Sequence, residues 1–591
     1  MNRRALNVYT IISIAALVAL SFIIYHKALS FGFVYDDNEQ VLRNRWITSA
    51  SFLPDIFRSH TFGFSEDSYQ ALTYRPVFIA IYLFEYAIFG LNAWGWHLVN
   101  ILLHAANSIA VFFTVAFLLE RHEPASKETP VTLYLPAFAA AALFASFPVN
   151  TEVVSWVGCI PELMYTLLCL SAFYMYMASR ENGKLLYILR LASVVLYFVA
   201  MLVKETAIIL PALLFIYDCI KYRGERIISL AKIKRYIPYA VTAAAYMAIR
   251  IAVLGNMAPP EKLHTNLTGF QYLINAFPMI LRYLRELVLP IEYPLQRFSP
   301  YFSMAEPVVV ISVLVVLSIP VLVFLFRKRI KPVYLLALFF FIPLLPALYS
   351  PGVSRTPFAD RYLYSPSIGL ALFVAIILKI AISRKTALKA AVAAFAVILA
   401  ANSAWACKKS LIWKDDLTLW NYAAKGAPDN YIALYSIGYA HYKEGRVDEA
   451  IPMFEKALNL NLASEQPDPT MLLIMHRALA GTYLKKGLLE NAAREYNELL
   501  RLAPEDFVAS YNLATIYRQK GLLNEAVELY RTALLFAKEP FMLRDIHYNM
   551  GQSYMGLGRR AEAAASFEKA LELSPDDPMI LNSLREANPA Q

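Results

Sequence analysis

Two hydrophobic rhythms divide the chain. From residue 8 to about 406, long apolar runs alternate with short polar loops; after about residue 430, apolar positions recur three and four residues apart in repeated units. Recurrence at three and four is the stripe of an amphipathic helix. An unbroken apolar run reads instead as a membrane helix, since about 20 such residues span a hydrocarbon core of about 30 Å. About eleven runs reach or approach that length: 8–28, 97–119, 131–148, 155–178, 185–203, 206–220, 236–254, 306–326, 332–350, 362–382 and 386–406. The pattern predicts an all-α chain. A polytopic membrane helical domain covers 1–406, a linker or degenerate repeat covers 407–430, and an α-solenoid covers 431–591. The first run follows Arg3 and Arg4 but is long for a signal peptide and lacks a small-residue cleavage site, so it reads as a retained helix.

Two further apolar stretches, 76–91 and 271–289, are read as helices lying in the outer interface or partly re-entrant, because they hold Glu85, Arg282, Arg285 and Glu286. Counting both as spans would put Lys221, Arg223, Arg226, Lys232, Lys234 and Arg235 outside. Leaving them out puts that cluster inside with Arg180, Lys184, Arg327, Lys328, Arg329, Lys331, Arg384, Lys385 and Lys389, as basic short loops require. The segments 29–96, 149–154, 204–205, 255–305 and 351–361 then share the outer side with everything after residue 406.

The repeat is legible residue by residue. Ala450, Ala492, Ala526 and Ala563 are each followed four residues later by Phe454, Tyr496, Tyr530 or Phe567. Gly438, Ala480, Ala514 and Gly551 precede them, turn glycines stand at Gly445, Gly487, Gly521 and Gly558, and Pro504 and Pro575 close two units. Ala492 and Ala526 lie 34 residues apart, the tetratricopeptide period. The other spacings are longer, which predicts insertions in the connecting turns. Such arrays of about four repeats stack helix pairs and offer a groove to extended peptides or partner helices.

Composition agrees. The chain is 58% hydrophobic and 17% charged, against about 45–50% and about 25% in soluble proteins. Its net charge of +10 sits in loops between apolar runs, not in a basic stripe with interleaved aromatics, so no nucleic-acid partner is expected. Cys159, Cys169, Cys219 and Cys407 have neither metal-ligand spacing nor a disulfide framework.

Chemistry gathers on the outer side. Asp36 and Asp37 follow the first run, where solubility does not require carboxylates. Two readings are open: a cap for a following helix, or a partly desolvated base that takes a proton from a hydroxyl. His97, Asn100 and His104 are spaced by three and four, so they share one helix face turned to protein or to a cavity. Lys204-Glu205 and Asp360-Arg361-Tyr362 stand at the ends of spans, with Arg75 in the first outer loop. A structural pair or a snorkelling arginine explains them; so does a lipid-linked phosphate, which takes charge-assisted hydrogen bonds from Arg and Lys.

The ordered set Phe33-Val34-Tyr35-Asp36-Asp37, Tyr74-Arg75-Pro76, His97/Asn100/His104, Thr151-Glu152-Val153-Val154-Ser155-Trp156, Lys204-Glu205-Thr206, Asp360 to Ser367 and Trp413-Lys414-Asp415-Asp416 resembles the transmembrane and tetratricopeptide-repeat-containing O-mannosyltransferases and their prokaryotic relatives. The chain departs from that pattern at Phe147 and Asn150, where the family commonly has histidines, and at Cys159-Ile160, where it commonly has Gly-Arg. The resemblance implies a C-type glycosyltransferase fold, a polyprenyl- or dolichyl-phosphate sugar as co-substrate, and no certain cofactor, with a divalent metal left open. It puts Asp36 and Asp37 in the catalytic role. Arg75, His97, Asn100, His104, Glu152, Lys204, Glu205, Asp360, Arg361 and Tyr362 become substrate-binding candidates.

The leading expectation is an inverting glycosyltransferase that moves a sugar, with mannose as a candidate, to a hydroxyl such as a protein Ser or Thr outside the cytoplasm. The second is a membrane scaffold that recruits envelope proteins through its repeats. A transporter is disfavoured, since transporters carry their charges at mid-depth. The expected partners are the bilayer, the lipid-linked donor and acceptor proteins. Compact loops favour a bacterial inner membrane over an endoplasmic reticulum. The basic loops predict that a reporter enzyme fused after residue 420 is active only outside the cytoplasm; activity confined to the cytoplasm would invert the topology.

Overall fold

The computed structural model describes residues 3–65, 73–120, 130–179, 185–221, 233–255, 268–290, 301, 303–326, 333–348, 358–383, 388–464 and 467–588. Among the described residues there is no strand. Arg180, Lys184, Arg223, Arg226, Lys232, Arg327, Lys328, Arg329, Lys331, Arg384 and Lys385, on which the loop orientation relies, lie outside the described residues. Contacts divide the chain into two compact units, Met1–Gly426 and Ala427–Gln591.

The first unit contains α1 (Arg3–Tyr25), α2 (Leu53–Arg58), α3 (Pro76–Phe89), α4 (Ala93–Glu120), α5 (Pro130–Ser146), α6 (Thr151–Ser155), α7 (Ile160–Ser179) and α8 (Leu186–Val203). It continues through α9 (Leu210–Lys221), α10 (Ile237–Leu254), α11 (Gly269–Val288), α12 (Pro307–Phe326), α13 (Val333–Leu348), α14 (Ser367–Ser383), α15 (Leu388–Ser410) and α16 (Asp416–Gly426). All eleven apolar runs contain helix. Among the described residues six helices are long and apolar enough to cross a membrane: Val8–Ser30, Ala93–Leu119, Val157–Ser179, Leu186–Val203, Ile237–Leu254 and Leu388–Trp413. The chain is a multi-pass membrane protein. α5, α9, α13 and α14 are shorter, at 17, 12, 16 and 17 residues. α9 has 12 residues, about 18 Å at 1.5 Å per residue, which is short of a hydrocarbon core.

α5 lies at the centre, and its composition explains why. Ala137, Ala139, Ala140, Ala141, Ala142 and Ala145 are all fully buried, so α1, α4 and α14 pack directly against it. Small side chains let helix backbones approach closely. After Ser146 the helix cannot continue through Phe147-Pro148, and the path bends by 50° into the segment Pro148–Ser155. That bend carries Glu152 and Trp156 to the end of the bundle where the acidic segment lies.

The second unit pairs α17 (Tyr431–Lys443) with α18 (Val447–Leu462), α19 (Pro469–Lys486) with α20 (Leu489–Leu502), α21 (Phe507–Gln519) with α22 (Leu523–Phe536), and α23 (Pro540–Gly556) with α24 (Arg560–Leu573). α25 (Pro578–Ala587) closes the stack against α24. Ala450, Ala492, Ala526 and Ala563 are fully buried, as are Phe454, Tyr530 and Phe567. Asn430, Asp468 and Asp506 accept from backbone N–H groups to cap α17, α19 and α21, and Asp577 caps α25, whereas Glu539 before α23 makes no such bond. The longer spacings were expected in connecting turns, yet much of the extra length is helical. α19 and α23 run to 18 and 17 residues against 13 in α17 and α21. Pro469 and Pro540 begin the longer helices, in the first turn where proline loses no hydrogen bond.

A Cβ built on Gly551 would lie 2.5 Å from Cε1 of Phe567, so this glycine exists to seat that ring. Removing the ring instead leaves a cavity. Phe567→Ala is expected to cost the array about 3–5 kcal/mol. Limited proteolysis of the full chain in rising urea should then cut beyond residue 427 at lower urea than in the wild type; an unchanged threshold contradicts this packing.

Candidate active site

Five connecting segments of the first unit meet at one end of the helices, and each is shaped by a local constraint. In the acidic segment Tyr35 adopts φ 56°, a left-handed value that no other non-glycine shares among the described residues. The chain then turns through Asp36 and Asp37 into a short helical turn, Asn38–Leu42. Asp37 stands at the N-cap of that turn but makes no capping bond. Its carboxylate reaches back to accept from Val34 N (3.1 Å) and across to accept from Trp156 Nε1 (3.0 Å). Capping, the plain expectation for this pair, is therefore not its role. Asp37 is fully buried, and burial holds its carboxyl well above the usual range despite these donors.

Asp36 differs in every respect. It is half-buried, and among the described residues its carboxylate accepts no hydrogen bond. Burial, opposed by Arg361 and reinforced by Glu39, pushes its pKa up to about 6. A carboxylate with that pKa is ionised near neutrality and still basic enough to take a proton.

The segment 414–416 braces this loop. Gly32 N donates to Lys414 O (3.0 Å), Tyr35 N donates to Asp416 Oδ1 (2.7 Å), and Asn38 Nδ2 donates to Asp416 Oδ2 (3.0 Å). The Tyr35 ring sits 5.2 Å from Trp156 and 5.4 Å from Trp420, and Trp156 stacks on Trp413 at 5.5 Å.

The basic candidates are all paired. Arg75 grips Glu205 with two bonds, Nε to Oε2 at 2.9 Å and Nη2 to Oε1 at 2.7 Å. Burial works to raise the Glu205 carboxyl, but Arg75 outweighs it and brings the pKa to about 2. Lys204 Nζ donates to Glu162 Oε1 at 2.5 Å. Lys204 and Glu205, adjacent in sequence, do not pair with each other, because Lys204 is extended and neighbouring side chains then point apart. Asp360 and Arg361, in the helical turn Asp360–Leu363, also pair elsewhere. Asp360 accepts from Lys409 Nζ at 2.6 Å, while Arg361 Nη1 donates to Glu152 Oε1 at 2.7 Å. Burial raises the Glu152 carboxyl against the pull of Arg361.

Arg361 is thus no snorkelling residue. Its guanidinium lies over Tyr362 (5.0 Å) and Trp156 (5.8 Å), and Lys204 Nζ lies 5.7 Å from the Tyr362 ring centre. Among the described residues its Nε and Nη2 make no hydrogen bond, which leaves a fork of donors beside Asp36.

The polar face of α4 serves a different purpose. Asn100 Nδ2 donates to Trp156 O (2.9 Å), and His97 Nε2 donates to Gly32 O (3.4 Å). His104 Nε2 faces Ala145 O (3.1 Å) and must donate, so Nδ1 accepts from the Tyr364 hydroxyl (2.9 Å). All three are fully buried and lock α4 to the acidic loop, the 156 turn and α5. The candidates therefore sort themselves. Asp36, Arg75, Glu205, Arg361 and Tyr362 are half-buried, whereas Asp37, His97, Asn100, His104, Glu152, Lys204 and Asp360 are buried behind them.

Sequence reasoning missed Glu162, Lys409 and Asp416 as partners. Glu162 carried a readable signal, a carboxylate inside an apolar run. Asp416 stood in the motif Trp413-Lys414-Asp415-Asp416 without a role read for it, and Lys409 carried no signal, since its partners lie far away in the chain.

Comparison with known proteins reaches the same ground. Tetratricopeptide-repeat family models match residues 417–468, 477–540 and 544–577. A protein O-mannosyl-transferase of Caenorhabditis elegans is 25% identical over 465 residues, covering 76% of this chain and 63% of that protein. One from Drosophila melanogaster is 32% identical over 199 residues, 33% of this chain and 21% of that protein. A human one is 27% identical over 225 residues, 37% of this chain and 25% of that protein. The chain thus spans less than two thirds of the length of these relatives. Among solved structures, one titled "Crystal structure of MamA protein" matches 27% of this chain and 81% of that one, at 23% identity and a TM-score of 0.24. Over most of its length the chain is thus similar to a protein O-mannosyl-transferase, and tetratricopeptide-repeat family models match its C-terminal part.

Proposed function

We propose that this protein is an inverting glycosyltransferase of the C-type, transferring mannose from a polyprenyl- or dolichyl-phosphate to a Ser or Thr hydroxyl of a protein on the extracytoplasmic side. One observation carries the reading: Asp36, half-buried and without a hydrogen-bond partner among the described residues, faces the field of Arg361, whose Nε and Nη2 are unoccupied.

Asp36 takes the hydroxyl proton as the oxygen attacks the anomeric carbon. The bond from that carbon to the phosphate oxygen breaks, and the leaving phosphate gains one negative charge. The Arg361 fork accommodates that charge through charge-assisted hydrogen bonds. Asp37 and Trp156 hold the loop and take no proton in this scheme. Tyr165, which faces the Lys204 ammonium at 5.5 Å, also lines a small apolar cavity of about 30 Å³ with Thr166, Cys169, Phe173, Leu213 and Phe339. The array would hold the acceptor.

Asp36→Asn keeps the shape and removes the base, so transfer should fall by about 10²–10⁴-fold. In the wild type kcat/KM should rise with pH through about 6 and level off above it, because only the ionised Asp36 accepts the proton. Asp36→Asn at wild-type rate, with matched folded protein, rejects the assignment.

Arg361→Ala would strand the buried Glu152, so Arg361→Lys is the cleaner change. It keeps a cation beside Glu152 and loses the fork. Donor use measured as kcat/KM should drop about 10–100-fold, the worth of one or two charge-assisted hydrogen bonds; unchanged kcat/KM removes Arg361 from phosphate binding.

A further inference from the structure

Two pairs of adjacent aspartates face each other across the active-site end of the membrane unit, and in both pairs the roles divide. Asp37 is held in place by Val34 N and Trp156 Nε1, leaving Asp36 open. At the other pair, Asp415 Oδ1 caps α16 by accepting from Thr418 N (2.8 Å). Asp416 is therefore not needed to start its own helix. It reaches instead to a loop some 380 residues earlier, accepting from Tyr35 N at 2.7 Å and Asn38 Nδ2 at 3.0 Å.

The residue it grips is a strained one. Tyr35 at φ 56° occupies a region that bulky side chains rarely enter, and such strain persists only where the surroundings over-determine it. Here they do. Asp416 takes the Tyr35 N–H, Asn38 Nδ2 donates to Tyr35 O at 3.0 Å while also bonded to Asp416, and the ring is flanked by Trp156 and Trp420. The next residue is Asp36. Its backbone direction follows from the Tyr35 torsions, and its own carboxylate has no partner among the described residues to aim it. Whatever fixes Tyr35 therefore fixes where Asp36 points.

We propose that Asp416 is a positioning residue for sugar transfer: from the first turn of α16 it holds Tyr35 in its left-handed conformation and so sets the direction of the Asp36 carboxylate. The inference rests on the reading of Asp36 as the base. It assigns a task in the membrane unit to the helix immediately preceding the repeats, where the tetratricopeptide match begins at residue 417.

The test uses the full chain in detergent with three variants, Asp416→Ala, Asp416→Asn, and Asp416→Asn combined with Asn38→Asp. The first loses both bonds. The second keeps an acceptor for Tyr35 N but sets its amide against that of Asn38. The third restores that bond with donor and acceptor exchanged. Hydrogen exchange over residues 32–40 reads the brace without any catalysis. It should quicken about tenfold in Asp416→Ala, as expected for a locally opened loop, with residues 10–25 unchanged. Transfer from polyprenyl-phosphate mannose to a Ser/Thr peptide reads the consequence. In Asp416→Asn kcat should fall about 10–100-fold, the scale of an ångström-sized misplacement, with donor KM within about threefold, and the exchanged pair should regain a substantial part of kcat.

Unchanged exchange in Asp416→Ala overturns the brace. Quickened exchange with wild-type kcat overturns its positioning role. A wild-type chain that transfers no mannose from that donor defeats the proposed function, and the exchange measurement still decides the brace.

Discussion

Charge neutralisation at one end of an apolar helix bundle is the condition on which the membrane unit depends. Arg75, Lys204, Arg361 and Lys409 each meet a carboxylate from a different element: Glu205, Glu162, Glu152 and Asp360. Leaving one member of a buried pair alone costs about 3–5 kcal/mol, so any arrangement of these loops that separated the partners would be disfavoured. The pairs tie the loop before α3 to the turn between α8 and α9, that turn to α7, and the bend after α5 to the segment before α14. Glu286 joins the last pair through Lys409 at 3.3 Å and draws α11 into the same network. The aromatic stack of Tyr35, Trp156, Trp413 and Trp420 fills the space the ions leave.

Within this frame, function depends on incomplete neutralisation. A residue whose donors and acceptors are engaged holds structure, as Asp37 and His104 do. Among the described residues Asp36 and Arg361 retain unsatisfied capacity at a half-buried surface, and the proposed transfer is placed there. The same contrast separates the paired guanidinium of Arg75, which presents two nitrogens to Glu205, from that of Arg361, which presents one to Glu152.

The repeat unit obeys simpler rules. Its helices meet through alanine and glycine, its gaps are filled by Phe454, Tyr496, Tyr530 and Phe567, and side-chain caps start the first helices of its first three pairs. Each contact is local to one pair or its neighbour, so a one-dimensional sequence pattern suffices to specify it. Where the pattern misled, at the longer spacings, the reason was also local. A proline in the first turn lets a helix start early, and added residues extend the helix as readily as the turn.

How much could be read in advance follows from range. Helical spans, the repeat period, the aromatic and small positions of the array, and the presence of a carboxylate pair beyond the first apolar run are properties of short windows, and all were legible. Whether Asp36 or Asp37 is the open acid was not. That depends on Trp156, more than a hundred residues away, donating to one of them, and on Asp416 bending the backbone at Tyr35. The partners of the cations were equally hidden. The sequence suggested that Lys204 and Glu205 might pair, whereas extended backbone sends them to opposite neighbours. The sequence by itself determined an all-α membrane bundle followed by a tetratricopeptide array, with polar chemistry gathered in a few loops. Only the tertiary structure decided which polar groups are consumed by one another and which remain open, because neutralising a charge in an apolar bundle requires contact between segments that the chain keeps far apart.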